Sequence, residues 1–400
     1  MLQNQAISAC VFVMTLLLTG CGGGGGDTTA TLGGGGRTNP GTDIVPDPTG
    51  PGDNGTPPPV SQEPDAANPQ LAAARFYRPR NLAFDQEGNL YVMDRYNTQI
   101  IDSRGHDQIT RISLDGSVSL FGQPSLELSG LALDSVGNAY AGVLRERHIR
   151  RYAPDGSTSI FSLGEDFPIA LGANNTLIFD SQDNLYTFHL GSSGFYMISP
   201  QRSLTRFGYA DGPGTPVPLY DGPEPASFSQ IQEIVFDAED NLYVLDRLVD
   251  SYFDVDREET VNACLIRKID RAAGTVTTIA GQPALTGTSD SRGIHARWGG
   301  DASGLSVRLA CDGIAADPYG TVYLIDNSQM ALRRVALDGT VSTLYRGSVS
   351  DPFAGADIAV SKAGNVYVSS ADRHVIYKFT PDGQIRVFAG KLDEHDAYPA

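Results

Sequence analysis

The segment VDSYFDVDREET (249–260) could bind a metal ion, because it brings five acidic side chains close together. They are Asp250, Asp254, Asp256, Glu258 and Glu259. Carboxylate oxygens are the ligands that hard cations such as calcium take. The spacing lacks the glycine and the distal glutamate of an EF-hand loop, so it favours a solvated acidic loop. We therefore predict no cofactor, with calcium in this loop as the alternative.

Cys264 and Cys311 lie at the ends of two long insertions in the chain. A disulfide between them is one interpretation, since a secreted protein permits it. Two buried free thiols are the other. The sequence contains none of the motifs G-x-S-x-G, H-E-x-x-H or the phosphate-binding P-loop, so it indicates no common class of enzyme.

A third cysteine, Cys21, follows an apolar run, SACVFVMTLLLTG (8–20), that is too short to span a bilayer. The sequence Leu-Thr-Gly-Cys at 18–21 resembles a bacterial lipobox, although no Lys or Arg precedes the apolar run. The resemblance implies a signal peptide over residues 1–20 and a lipid anchor on Cys21. We expect a cell-envelope protein, on the outer membrane if the host has one, because Gly22 and not Asp follows the cysteine.

The composition limits the remaining partners. The chain has 400 residues, with 29 Lys and Arg against 47 Asp and Glu and a net charge of -18. Binding to nucleic acid needs clustered basic side chains, so we exclude that class of partner. Residues 22–70 are rich in Gly and Pro and poor in apolar side chains, which is typical of a disordered segment. We interpret residues 21–70 as the lipidated cysteine and a flexible tether.

One nine-residue phrase then occurs six times in the chain. Its copies are FDQEGNLYV (84–92), LDSVGNAYA (133–141), FDSQDNLYT (179–187), FDAEDNLYV (236–244), ADPYGTVYL (316–324) and VSKAGNVYV (360–368). Each joins a short apolar strand to a strand containing Tyr through a tight turn of the form Asp-x-x-Gly/Asp-Asn. The phrase therefore predicts a β-hairpin, in which Asp, Asn and Tyr have structural roles.

A third strand and a second turn follow most copies, as in QITRISLDGSVSLF (108–121) and HVIYKFTPDGQIRVF (374–388). Each repeat is then a four-stranded antiparallel meander, which cannot cover its own apolar faces. Six such repeats predict an all-β protein, a six-bladed β-propeller over residues 71–391, with a tail over 392–400. Since residues 40–70 contain no strand-like segment, we expect the ring to close by contact between blades one and six.

The blocks LYVMDR (90–95) and LYVLDR (242–247) resemble those of NHL-repeat propellers. The phrase RKIDRAAGTVTTIAGQ (267–282), the GYADG at 208–212 and an Ala-x-aromatic before blades one, four and five resemble a subgroup of that family. The resemblance covers nearly all of the folded part and implies the propeller fold. It implies little about function, because such propellers are binding platforms and occasionally enzymes.

The long insertions all follow second or fourth strands, so they lie on one face of the propeller. They comprise residues 94–108, 208–230, 246–263 and 283–310. Variable loops on a rigid scaffold are a usual place for binding. The side chains that we predict to bind there are Tyr96, Asp211, Tyr220, Asp250, Tyr252, Asp254, Asp256, Arg292 and His295.

From the sequence we favour a lipid-anchored, monomeric propeller without catalytic residues. It would recognise an envelope protein or a glycan through the long loops. The alternative is a metal-dependent lactonase or lyase, as in other six-bladed propellers. That alternative requires carboxylate, Asn or His side chains that converge on the central channel.

Overall fold

The structure is a computed structural model in which the following residues are described: 63–64, 68–96, 106–143, 148–161, 176–188, 194–207, 222–223, 228–248, 253–254, 259–260, 263–271, 275–281, 290–296, 311–348 and 353–392. The chain divides into two units, Met1–Pro57 and Pro58–Ala400, and all described residues belong to the second. Among them, no helix is long and apolar enough to cross a membrane. Cys21 and the predicted signal peptide lie outside the described residues.

The described residues form six blades of four antiparallel strands, which confirms the predicted six-bladed propeller. The short helix α1 (Pro69–Ala73) precedes them. Blade one contains β1 (Asn81–Phe84), β2 (Leu90–Tyr96), β3 (His106–Ile112) and β4 (Val118–Leu120), and β5 (Ser125–Leu126) also pairs with β3. Blade two contains β6 (Leu128–Leu133), β7 (Ala139–Val143), β8 (His148–Tyr152) and β9 (Thr158–Phe161). Blade three contains β10 (Leu177–Phe179), β11 (Leu185–Thr187), β12 (Phe195–Ile198) and β13 (Leu204–Phe207).

The second half of the ring has the same order with additional short strands. Blade four contains β14 (Gly222–Pro223), β15 (Ile231–Phe236), β16 (Leu242–Leu248), β19 (Ala263–Asp270) and β20 (Thr275–Ala280), while β17 (Phe253–Asp254) pairs with β18 (Glu259–Thr260). Blade five contains β21 (Gly313–Ala316), β22 (Val322–Asp326), β23 (Ala331–Val335) and β24 (Val341–Arg346), and 3-10 helices cover Gly293–His295 and Asn327–Gln329. Blade six contains β25 (Asp357–Val360), β26 (Val366–Ser370), β27 (Val375–Phe379) and β28 (Ile385–Gly390).

The aspartate of the repeated phrase holds the first hairpin of a blade together, as blade two shows. The Asp134 carboxylate accepts hydrogen bonds from the backbone N–H of Asn138 at 2.8 Å and from its side-chain amide at 2.6 Å. The Tyr140 hydroxyl donates to the same carboxylate at 3.1 Å. Gly137 closes the turn with φ of 80°, a conformation that glycine adopts without strain. These contacts give Asp, Asn and Tyr the structural roles that the repeat predicts.

The apolar core consists of six clusters, each between two neighbouring blades. The cluster between blades one and six also contains Leu71 of α1 and Phe76, both buried. The ring therefore closes by contact between its first and last blades, as expected, but the helix α1, which the sequence did not predict, also takes part. Asn68 caps α1 by accepting from the Gln70 N–H at 2.9 Å, and Pro69 occupies the first turn.

We expect Asp134→Ala to lower the free energy of unfolding by about 2–4 kcal/mol, because it leaves the buried Asn138 amide and Tyr140 hydroxyl without an acceptor. The matched control is Asp155→Ala in the second turn of the same blade, where the exposed aspartate accepts from the Ser157 N–H. Urea unfolding followed by circular dichroism measures both. Equal effects of the two substitutions would contradict the role given to Asp134.

Candidate functional site

The two faces of the propeller differ in their connections. The turns after first and third strands are short and define the short-turn face, whereas the connections after second and fourth strands define the long-loop face. The first strands are innermost, since each pairs with only one strand of its own blade and most contact the first strands of neighbouring blades. Their N-terminal ends lie at the long-loop face, where they surround the mouth of the central channel.

One position in each first strand forms a ring around this mouth, which we call the mouth ring. Its residues, from blade one to blade six, are Asn81, Gly130, Thr176, Glu233, Gly313 and Asp357. Two carboxylates, one amide and one hydroxyl therefore face the channel from four blades. The two carboxylates belong to blades four and six, and the residue between them, in blade five, is a glycine.

Glu233 and Asp357 interact electrostatically. Both side chains keep part of their surface open to the channel, but the surrounding blades exclude most of the water from them. Burial raises the pKa of Glu233 well above its ordinary value, and the Asp357 carboxylate raises it further. Burial likewise raises the pKa of Asp357, to about 7. Two carboxylates in such a site do not ionise together easily, so they retain a proton near neutral pH.

Their hydrogen bonds distinguish the two carboxylates. Asp357 accepts from the Leu82 N–H at 2.7 Å, and hydrogen bonds from the Ile358 backbone and the Asn81 side chain also stabilise its charge. Glu233 accepts from the Thr176 hydroxyl at 2.8 Å and from the Ile234 backbone. The ionised form is therefore better stabilised at Asp357, so Glu233 is the more readily protonated of the two. This unequal pair is the arrangement that acid–base catalysis uses.

A third carboxylate, Asp312, precedes Gly313 at the same end of blade five. Burial raises its pKa to about 6, while a hydrogen bond from the Asn327 amide and the nearby Arg247 guanidinium lower it. The Asn327 side chain also donates to the Gly355 backbone oxygen at 2.8 Å and accepts from the Gly355 N–H at 2.9 Å. Asp312 thus has a structural function, because it binds Asn327, and Asn327 joins blade five to the segment that leads into blade six.

The donor set of the mouth ring suits a hard cation in part. Glu233, Asp357 and the Asn81 amide offer the oxygen atoms that calcium or magnesium prefers. The described residues, however, contain no group of three or more His, Cys, Asp or Glu side chains that could hold a metal ion. A cation at the mouth would therefore depend on the amide oxygen and on water or substrate for its remaining ligands.

The two predicted cysteines form a disulfide, with Cα atoms 6.6 Å apart and a separation of 47 positions in sequence. Cys264 lies in β19 of blade four and Cys311 directly before blade five, and both are buried. Of the two interpretations of these cysteines, the structure therefore has the disulfide. It ties two long connections of the long-loop face to each other.

The structure describes few of the other predicted binding residues. Asp211, Tyr220, Asp250, Tyr252 and Asp256 lie outside the described residues, while Tyr96 ends β2 and Asp254 belongs to β17.

Arg292 and His295 do not join the mouth ring. Arg292 donates to the backbone oxygen of Asp338 at 2.8 Å, in the turn between the third and fourth strands of blade five. His295 ends the exposed 3-10 helix beside it. The segment therefore lies along the outer rim of blade five. The sequence placed both residues on the binding face only because they fall in a long insertion.

Asp94, Asp246 and Asp326, which lie in the last three residues of second strands, support the loops at the mouth. Asp94 accepts from the Tyr77 N–H at 3.1 Å, and Asp246 accepts from the Ser229 and Gln230 N–H groups at 2.9 and 3.0 Å. Burial raises the pKa of Asp94 to about 7 and that of Asp246 to about 6. These groups fix the segments that lead into blades one and four, so their role is structural.

A separate concavity of about 190 Å³ lies between blades five and six, away from the mouth ring. It is lined by Tyr345, Phe353, Arg373, Tyr377, Ile385, Arg386, Val387 and Leu392. None of these side chains is a carboxylate, so the concavity lacks the acid–base pair of the channel.

Sequence reasoning missed the pair Glu233 and Asp357. They are the first residues of the blocks EIVF and DIAV, which the repeat alignment puts at equivalent positions. An acidic residue at the innermost position, where other blades carry Gly, Thr or Asn, was the available signal. Their proximity became visible only once the ring was closed.

The comparisons with known proteins establish the fold alone. No protein-family model matches the chain, and no curated protein matches it. A structural-genomics protein of unknown function from Bacteroides thetaiotaomicron has 17% identity and a TM-score of 0.52, over 77% of this chain and 70% of its own. Virginiamycin B lyase from Staphylococcus aureus has 11% identity and a TM-score of 0.49, over 83% of this chain and 89% of its own. A gluconolactonase from Xanthomonas campestris has 12% identity and a TM-score of 0.44, over 80% of this chain and 90% of its own. Membership of the NHL-repeat family stays a prediction.

We expect Glu233→Gln to make the stability less dependent on pH. A carboxyl group whose pKa is raised by folding stabilises the folded state fully below its unfolded pKa of about 4, and this contribution is lost as the pH rises towards the folded pKa. The pKa of Asp357 is raised to about 7, so the loss falls between pH 4 and 7. The substitution keeps the hydrogen bond from Thr176 and removes the second negative charge.

Thermal unfolding at pH 5 and pH 8 measures this effect. The decrease in melting temperature between the two values should be smaller in Glu233→Gln than in the unmodified protein. The control is Glu239→Gln, which neutralises an exposed glutamate of the same blade. An unchanged pH dependence in Glu233→Gln would exclude the coupling between the two carboxylates.

Proposed function

We propose that the protein is an enzyme of the lactonase or lyase type, and that Glu233 and Asp357 act as its acid–base pair at the mouth ring. The observation that supports this most directly is the interaction of these two carboxylates from blades that are not neighbours. They lie where the channel opens between the long loops, which is a usual position for a binding site.

In the hydrolysis of a lactone, Asp357 would accept a proton from a water molecule as the water oxygen attacks the carbonyl carbon. Glu233 would donate its proton to the ring oxygen as the bond from that oxygen to the carbonyl carbon breaks. In a lyase reaction, Asp357 would instead remove the proton from a carbon atom next to the bond that is cleaved. Afterwards Asp357 is neutral and Glu233 is ionised, and exchange with solvent restores the pair.

A divalent cation would fit the same site as an alternative to the proton on Glu233, because it would hold both carboxylates in the ionised form. Glu233, Asp357 and the amide oxygen of Asn81 would hold it, with water or substrate as the other ligands. When bound, it would polarise the carbonyl oxygen of the substrate. The residues themselves would orient the substrate and transfer the proton.

We expect turnover of at least one compound in a panel of gluconolactone and streptogramins such as virginiamycin B, which are the substrates that the names of the similar gluconolactonase and lyases suggest. Glu233→Gln and Asp357→Asn should each lower kcat/KM by about 10²–10⁴-fold, which is the usual contribution of a general acid or base. Glu239→Gln is the matched control and should leave kcat/KM unchanged.

Assays with chelator and with added calcium or magnesium test the cation, and elemental analysis of the dialysed protein measures whether any is bound. Turnover that survives in both carboxylate variants, while their circular dichroism spectra are native, would refute the assignment of the acid–base pair.

Binding of a partner by the long-loop face is the second candidate function. It is favoured by the Cys264–Cys311 disulfide, because a tie between two long connections fixes a surface that can recognise a ligand. The proposal includes a lipid anchor on Cys21 in the cell envelope, and an envelope protein or glycan as partner.

For this candidate we expect a photocrosslinker in place of the exposed Asp372, in a connection of the long-loop face, to capture an envelope component in intact cells. The same crosslinker at Tyr319, which is 75% exposed on the short-turn face, should capture none. Equal capture at both positions would exclude a binding surface limited to the long loops.

A further inference from the structure

Most blades contain the same three-part unit beneath their first hairpin: a turn aspartate, the tyrosine of the second strand and a basic residue of the third strand. The pairing of second and third strands places Tyr91 opposite Arg111, Tyr140 opposite Arg151, Tyr243 opposite Lys268, Tyr323 opposite Arg334 and Tyr367 opposite Lys378. In blades one to five the carboxylate comes from Asp85, Asp134, Asp180, Asp237 and Asp317. The unit thus balances a buried negative charge with a cation.

Blade six lacks the carboxylate in its own hairpin. Its turn reads Ser361-Lys-Ala-Gly-Asn, so a serine occupies the position of the aspartate. Lys378 is nevertheless buried, with 4% of its side chain exposed, and its ammonium lies 5.3 Å from the centre of the Tyr367 ring. A buried ammonium group without a carboxylate partner is strongly unfavourable.

Glu63, from the segment that precedes the propeller, fills this position. Its Oε2 atom accepts hydrogen bonds from the Asn365 amide at 2.6 Å, from the Tyr367 hydroxyl at 2.8 Å and from the Lys378 ammonium at 2.5 Å. The Asn and Tyr donors are those that the aspartate receives in blade two, where Asn138 and Tyr140 donate to Asp134. Only 12% of the Glu63 side chain is exposed.

The residues that follow Glu63 seal the junction between blades six and one from one face to the other. Asn68 donates to the backbone oxygen of Asp115, in the second turn of blade one at the short-turn face. Leu71 and Phe76 pack in the core between the two blades. At the long-loop face, Tyr77 stacks on His374 of blade six with ring centres 5.4 Å apart, and its N–H donates to Asp94 of blade one.

We propose that residues 63–64 and 68–77 form a strap that closes the ring, and that Glu63 serves as the turn carboxylate of blade six. The strap contacts both blades, so it takes the place of the covalent connection that joins every other pair of neighbouring blades. Direct contacts complete the closure, since Lys362 of blade six donates to the Gln86 oxygen of blade one at 2.6 Å.

Blade three contains a second unit that is completed from outside. Its third strand places Met197 opposite Tyr186, so the blade lacks its own basic residue at that position. Arg271, which directly follows β19 of blade four, contacts Asp180 at 3.1 Å and lies 5.6 Å from the centre of the Tyr186 ring. In blade six and in blade three, a residue from outside the blade thus provides the missing member of the unit. This supports the view that each blade needs all three members.

Four versions of the full chain test the proposal: the unmodified protein, Glu63→Gln, Ser361→Asp and the double variant. Glu63→Gln should lower the melting temperature by about 5–10 °C, because it leaves Lys378 buried without a carboxylate. Ser361→Asp puts a carboxylate where the other five blades have one. In the Glu63→Gln background it should therefore restore most of the lost stability.

Limited trypsin digestion gives a local readout at Arg75 of the strap, which is exposed. Cleavage there should become several-fold faster in Glu63→Gln than in the unmodified protein. Unchanged melting and cleavage in Glu63→Gln would overturn the proposal, and so would a double variant that is no more stable than Glu63→Gln alone. The first result would show that Glu63 does not stabilise the ring, and the second that it does not act as the turn carboxylate.

Discussion

A buried carboxylate under the first hairpin is the interaction on which the other features of each blade depend. The hairpin needs an acceptor for backbone and side-chain N–H groups that water cannot reach, and an aspartate at the turn accepts several of them at once. The tyrosine of the second strand then donates to the same carboxylate, and its ring packs in the core between blades. A basic residue of the third strand balances the charge, so one interaction connects three strands of a blade with its neighbour.

The repeat made the fold predictable, because each copy of the phrase contains both the turn chemistry and the strand pattern. Features that depart from the repeat were harder to predict from the sequence. The helix Pro69–Ala73 carries a recognisable N-terminal signal, Asn68 followed by Pro69, but it is one and a half turns long and adjoins a Pro-rich segment. The contact of Glu63 with blade six joins residues about 300 positions apart, and the only trace of it in the sequence is Ser361 where an aspartate is expected. The pair Glu233 and Asp357 was equally hidden, since its members come from different repeats.

The strap also distinguishes the two faces of the ring. Glu63 contacts the first turn of blade six, at the short-turn face, whereas the mouth ring opens at the long-loop face. The chain therefore enters the propeller on the side opposite to the candidate site.

The carboxylates of this protein can be sorted by what each one stabilises. Turn aspartates hold hairpins, Asp94 and Asp246 hold the segments that lead into blades, and Asp312 binds Asn327, which contacts the segment before blade six. Asp357 also has a structural role, because it accepts a hydrogen bond from the Leu82 N–H and so links blade six to blade one. The structural role of Glu233 is smaller. Its side chain accepts a hydrogen bond from Thr176, and the charge of Asp357 opposes its ionisation. An uncharged residue such as Gln would keep the hydrogen bond and avoid the repulsion. A glutamate at the innermost position of its blade, whose pKa burial and Asp357 raise well above its ordinary value, is a candidate for a chemical function, and this makes Glu233 the most informative residue of the candidate site.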